Sequence, residues 1–166
     1  MTRFSCLYHV TDRAALPHIR AHGLRSAEAL CELFEVPPGR RESLLVRNRD
    51  RYEPVLHDGS AALRLQHLRD EALRRHLDPA ITPAEWRRMI NRQVHFWPRP
   101  DKAARLDAYE RTRDQVVLAW EARALVEAGV PLFTCRWNNG TTINRQKPGT
   151  RLRTWTDYVP LAEFAG

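Results

Sequence analysis

The stretch LYHVTDRAALPHIRAHGL, residues 7–24, decides how the rest of the chain is read. Its first residues belong to an apolar run, FSCLYHV (4–10), whose β-branched and aromatic content predicts a first strand. Asp12 stands where a helix cap belongs. Leu16 and Ile19 then follow at helical spacing, and Gly23 supplies a stop. A strand running straight into a helix is thus expected at the amino end. A histidine, His9, sits inside the strand, where a polar ring among apolar neighbours needs a hydrogen-bond partner.

Working outward, Ser26 predicts the cap of a second helix, AEALCELF, with Leu30, Leu33 and Phe34 on its inner face. Pro37-Pro38-Gly39 breaks it. A short helix is expected near 40–47, then an arginine-rich loop with strand character around Val55 and Leu56. ITPAEWRRMINRQ (81–93) carries a capping box: Thr82 as cap, Pro83 in the first turn and Glu85 three residues after the cap. Trp86, Met89 and Ile90 form its apolar stripe. VHFW (94–97) reads as a strand halted by prolines, and 101–111 as a polar helix. QVVLAW (115–120) is expected as a buried strand, EARALVEAG as a helix closed by Gly129, and PLFTCRW (131–137) as a further strand before an Asn138-Asn139-Gly140 turn. RTWTDYVP (153–160) is the last strand expected. Short strands interleaved with helices, without regular βαβ spacing, predict an α+β fold in a single domain, residues 1–166.

Composition bounds the function. At 166 residues and 43% hydrophobic content the chain can bury a core without disulfides or a metal. Cys6, Cys31 and Cys135 are odd in number and far apart, so they read as small buried hydrophobes. No apolar run is long enough to span a membrane, and the first residues lack a signal-peptide pattern, so a cytoplasmic location is expected. The formal charge is +7 and nearly all of it is arginine; Lys102 and Lys147 are the only lysines. Arginine's planar fork suits phosphates and stacking, so a polyanionic partner is one reading. An arginine-rich but merely solvated surface is the other.

Common catalytic signatures are missing: no HExxH, no phosphate-cradling glycine loop and no GxSxG elbow. His18 and His22 stand four apart on one helix, which reads as a surface pair. No metal site is expected. Two features remain, Tyr8-His9 on the first strand and His95-Phe96-Trp97 before the prolines.

LYHVTDRAALPHIRAHGL resembles the opening of the DarT-type ADP-ribosyltransferases, which modify DNA bases. It also resembles, more closely, a poorly characterised bacterial DarT-related domain family. MINRQVHFW, QVVLAWEARAL and RWNNGTTINRQKPGTRLRTWTDYVPLAEF are similar, in order, to that family's later segments. The resemblance implies an ADP-ribosyltransferase-like split-sheet core with NAD between two small sheets, and a nucleic-acid acceptor, a DNA base before RNA. It also implies a toxin or defence role, with an antitoxin as protein partner. His9 would bind the nicotinamide-side ribose, with Tyr8, Thr11, Phe96 and Trp97 around it. The His9 and Trp97 rings would then share one crevice. Arg47, Arg49 and Asn138 are the further cofactor candidates. Arg145, Arg151, Arg153 and Trp155 are the candidates for nucleic acid. DarT-type proteins place a glutamate on a late strand. The matching position here is Thr156, with Asp157 one residue on and Glu163 beyond the strand, so Thr156 and Asp157 join His9 as catalytic candidates. Two other readings stay open: a non-catalytic nucleotide- or nucleic-acid-binding module of the same fold, and an NAD-dependent RNA 2′-phosphotransferase.

Overall fold

The computed structural model describes residues 5–109, 113–135 and 151–163. In chain order the elements are β1 (Cys6–Asp12), α1 (Leu16–His22), α2 (Ala27–Leu33), α3 (Pro38–Val46), β2 (Glu53–Pro54), β3 (Ala62–Leu63), α4 (Asp70–Arg74), α5 (Pro83–Asn91), α6 (Pro100–Tyr109), β4 (Gln115–Glu121), α7 (Ala122–Glu127), β5 (Phe133–Thr134) and β6 (Val159–Pro160). Helices and small antiparallel sheets make this a mixed α/β fold, compatible with the α+β class.

The chain divides into two compact units, each discontinuous in sequence. The first gathers residues 1–23, 95–134 and 160–166. Its centre is the antiparallel pair β1–β4, in register from Cys6 opposite Glu121 to Asp12 opposite Gln115. Trp97 pairs with Tyr8 along the other side of β1; the Tyr8 amide donates to the Trp97 carbonyl at 2.8 Å and the Trp97 amide to the Tyr8 carbonyl at 2.7 Å. VHFW therefore contributes one bridge, not the strand expected from its composition. Pro98 and Pro100 follow that pairing position and cannot donate to a ladder. Helix α6 packs on β1 and β4 and buries Ala103 completely.

Two local expectations fail here. Asp12 does not cap a helix through its side chain: β1 runs through it, and its carboxylate accepts from the guanidinium of Arg113, just before β4 begins. Strand β4 is not buried on both faces. Val117, Ala119 and Glu121 point outward, Val117 at 45% exposure, while Val116, Leu118 and Trp120 turn inward. Continuous apolar character did not distinguish a half-covered strand from a buried one. Gly23 does close α1, with φ of 77° and its amide bonded to the Ile19 carbonyl, a backbone state that glycine adopts without a Cβ clash.

The second unit holds residues 24–94 and 135–159. Ser26 caps α2 as expected, accepting from the Ala29 amide. Cys31, rather than Leu33, is the residue α2 buries; Leu33 is exposed. Glu35 turns the chain in the left-handed region, and Pro37-Pro38 then starts α3 as well as ending α2. The capping box of α5 is complete: the Glu85 amide donates to Thr82 Oγ1, and the Glu85 carboxylate accepts from the Thr82 amide at 2.8 Å.

Two apolar clusters fill this unit. One joins Cys31, Val36 and Leu44 to Val55, Ala61 and Leu63 of the β2–β3 hairpin. The other gathers Leu68, Leu73, Leu77, Ile81, Trp86 and Ile90. Each fully buried leucine of that kind contributes about 1.5–3 kcal/mol. Residues 153–160 do not form one strand. Arg153 makes a parallel bridge to Leu77, Trp155–Asp157 coil into a 3₁₀ turn, and only β6 is extended beyond it.

Candidate functional site

In the first unit the candidate residues lie on β1 and the segment beside it. Alternation along β1 sends Leu7, His9 and Thr11 to one face and Tyr8 to the other. The partners confirm the division. On the His9 face, Phe96 lies 6.0 Å from the His9 ring at a steep angle and 5.5 Å from Trp120, edge to face. Direct pairing sets Tyr8 and Trp97 together on the opposite face. The expected crevice shared by the His9 imidazole and the Trp97 indole is therefore not formed; Phe96 is the ring beside His9.

His9 Nδ1 lies 2.9 Å from the carbonyl oxygen of His95. A carbonyl only accepts, so Nδ1 carries the proton in this bond, and in the neutral ring Nε2 is then an acceptor. The ring is fixed in tautomer and orientation by a group 86 residues away in sequence. Trp120 was not among the residues singled out from the sequence. Period-2 alternation in QVVLAW marks it as facing Leu118 and Val116, but only the register of β4 on β1 brings it to Phe96.

The remaining candidates belong to the second unit. Arg49 is buried at 7% exposure, and its guanidinium donates to the carbonyls of Leu44 (2.5 Å) and Arg64 (3.0 Å) and to Asn91 Oδ1 (3.1 Å). Burial lowers its pKa to about 10, which leaves it charged at neutral pH. Its donors tie the end of α3 to α5. Arg87, which the sequence did not single out, plays the same part at 3% exposure: it donates to the Leu68 and Val46 carbonyls, each at 2.9 Å, and to the Asp70 carboxylate. Part of the arginine excess thus serves as internal bracing, which composition does not distinguish from a surface patch. Arg47, by contrast, is exposed and lines an open cavity of about 260 Å³ together with Arg74, Arg87 and Asp70.

Asp157 is buried at 7% exposure. Its carboxylate accepts from the Thr154 amide at 2.7 Å, closing a cap on the 3₁₀ turn, and lies 3.6 Å from the Arg151 guanidinium. The Thr156 hydroxyl meets that of Thr154 at 2.7 Å. Neither Thr156 nor Asp157 stands on the strand expected over 153–160, because both lie in the turn. Arg153 is buried, with its backbone bonded to His76 and Asp78. Burial pushes the Tyr158 hydroxyl far above its ordinary range, with Cys135 beside it adding to the shift. Trp155 stacks on the fully buried Trp86 at 5.6 Å and keeps 44% of its surface exposed. Asn138 and Arg145 lie outside the described residues.

Among the described residues, no group of three or more His, Cys, Asp or Glu is placed to hold a metal ion. Nor is any helix there long and apolar enough to cross a membrane.

A model described as a family of unknown function (DUF7002) matches residues 5–166, and the chain belongs to that family. No curated protein and no solved structure matches it.

Proposed function

We propose that this chain is an NAD-dependent ADP-ribosyltransferase-like enzyme acting on nucleic acid, a DNA base in preference to RNA. The observation that carries the reading is the setting of His9. Its imidazole stands on β1, oriented by the His95 carbonyl, with Phe96 alongside and Trp120 behind Phe96. This set suits the ribose–nicotinamide end of NAD. An Nε2 acceptor matches a ribose hydroxyl, and an apolar ring edge matches a flat heteroaromatic ring. NAD would supply an ADP-ribosyl group joined to a leaving nicotinamide. The work of the chain is positional: His9 orients the sugar, and Phe96 and Trp120 keep water from the ring face. The resemblance to DarT-type proteins and the charge of +7 support a polyanionic acceptor, since phosphate contacts give affinity without a sequence code.

A second reading, a non-catalytic nucleotide- or nucleic-acid-binding module, is favoured by one observation. The Asp157 carboxylate is buried and already holds the Thr154 amide and Arg151. Incubation with NAD labelled in its adenylate half, plus single-stranded DNA, separates the two. The enzyme reading expects label on the DNA and released nicotinamide, both abolished in His9→Ala and sharply reduced in Phe96→Leu, with circular dichroism unchanged. DNA binding with neither label transfer nor nicotinamide release in the unaltered protein overturns it in favour of the module.

A further inference from the structure

We propose that the second unit carries a binding pocket for a phosphate group, formed by Arg47 and Arg74 over a floor fixed by Arg87. This deepens the reading above and rests on it only for the source of the phosphate.

The cavity of about 260 Å³ lies between the end of α3, α4 and the start of α5. Three guanidinium groups and one carboxylate, Asp70, line it, with Val46 and Pro83 as apolar wall. The carboxylate is already shared. One oxygen takes Arg87, and the other lies 4.0 Å from Arg74. The lining thus carries an excess of two positive charges. Arg87 is immobilised by its bonds to the Leu68 and Val46 carbonyls, so the floor is preorganised. Arg47 has no side-chain hydrogen bond or ion pair among the described residues, and Arg74 is two-thirds exposed. Both forks are available for bidentate contact with phosphate oxygens.

The start of α5 is not what makes the site, because its capping box already occupies the Thr82 and Glu85 amides. Size narrows the ligand. Pockets for whole drug-sized molecules run from about 300 Å³ upward, so this one takes a phosphate or diphosphate group and leaves the rest of the ligand outside. The group is either a backbone phosphate of a nucleic acid or the diphosphate of a nucleotide.

Calorimetric titration with sodium pyrophosphate at low salt tests the pocket without any NAD turnover. Binding is expected, with Arg47→Gln and Arg74→Gln each weakening it about tenfold, since each removes a charge-assisted contact. Arg123→Gln, at an exposed arginine paired with Glu127 in the other unit, should leave affinity unchanged. Titration with a thymidine 12-mer and with ADP then identifies the source. A backbone site gives oligonucleotide binding whose salt slope falls by about one with each arginine removed. A nucleotide site gives ADP binding that pyrophosphate displaces. The proposal fails if no phosphate probe binds below millimolar concentration. It fails equally if Arg123→Gln weakens binding as much as Arg47→Gln and Arg74→Gln do, which would mark a general charge effect. Absence of label transfer and nicotinamide release in the unaltered protein, with pyrophosphate binding present, would remove the enzymatic reading and leave the pocket standing.

Discussion

Replacing Arg87 with alanine should cost the second unit about 3 kcal/mol. The side chain is 3% exposed and satisfies two main-chain carbonyls, Leu68 and Val46, besides the Asp70 carboxylate. Leu68 is fully buried, so its carbonyl would be left without a donor at about 1–3 kcal/mol. Val46 is only half-buried, and water can replace part of its bond, for about 1 kcal/mol. The Asp70 side chain is 59% exposed, so solvent takes over its pairing and the ion pair itself adds 1 kcal/mol or less, about the worth of a surface bridge. Taken at the low end of each range, these losses together with that of the aliphatic stem come to about 3 kcal/mol, a large share of the roughly 5–15 kcal/mol that holds a domain folded. Urea unfolding followed by tryptophan fluorescence is the assay, since Trp86 precedes Arg87 on α5. With a slope of about 2 kcal/mol per molar, the midpoint should fall by about 1.5 M. Arg74→Ala, at an exposed arginine nearby, should move it by less than about 0.3 M. A loss below about 1 kcal/mol for Arg87→Ala, or an equal loss for Arg74→Ala, would refute the idea that arginine braces this unit from within.

Three further outcomes are expected. Thr82→Ala opens the capping box of α5 and should cost about 1 kcal/mol, seen as a fall of roughly 2–4 °C in Tm. Asp157→Asn keeps an acceptor for the Thr154 amide and should be nearly as stable as the parent, whereas Asp157→Ala should lose about 1–2 kcal/mol in urea; equal losses in both would deny the capping role. Tyr158 has a folded-state pKa raised above its unfolded value by burial, so its contribution is fully present below pH 10 and declines as pH rises beyond it. The stability difference between the parent and Tyr158→Phe should therefore shrink above pH 10, by up to about 1.4 kcal/mol per unit, and a difference flat from pH 9 to 11 would contradict this. Taking the difference also cancels the opposite drift from Arg49, whose lowered pKa makes the folded form lose its proton first.

What the sequence revealed was local. The Gly23 stop, the Ser26 cap and the Thr82–Glu85 box each depend on a few neighbouring residues, and each is found where the residue types place it. What it hid was set by distant partners. Nothing near Arg49 or Arg87 announces that the Leu44, Val46 and Leu68 carbonyls will take their donors, so Arg49 reads as a cofactor candidate and Arg87 is not singled out. Asp12 has the chemistry of a cap, yet Arg113, 101 residues away, draws it into an ion pair. RTWTDYVP has strand-like composition, but the Thr154–Asp157 cap offers the backbone a tighter turn. His9 was legible as a polar side chain needing a partner; the identity of that partner, and the neighbours Phe96 and Trp120, depended on strand register.

The threading of the first unit has a consequence for synthesis. Its central strand is made well before its main partner, and meets it only after more than ninety further residues, including all of 24–94, have left the ribosome. The helices α2 to α5 of that intervening stretch pack on one another and can begin to condense before β4 appears, whereas β1 must wait as an unsatisfied edge. A nascent or prematurely terminated chain lacking β4 would then display LYHV to the solvent as a sticky, unprotected ribbon. Truncated products ending before residue 115 should for that reason be prone to aggregate and be devoid of whatever activity His9 serves.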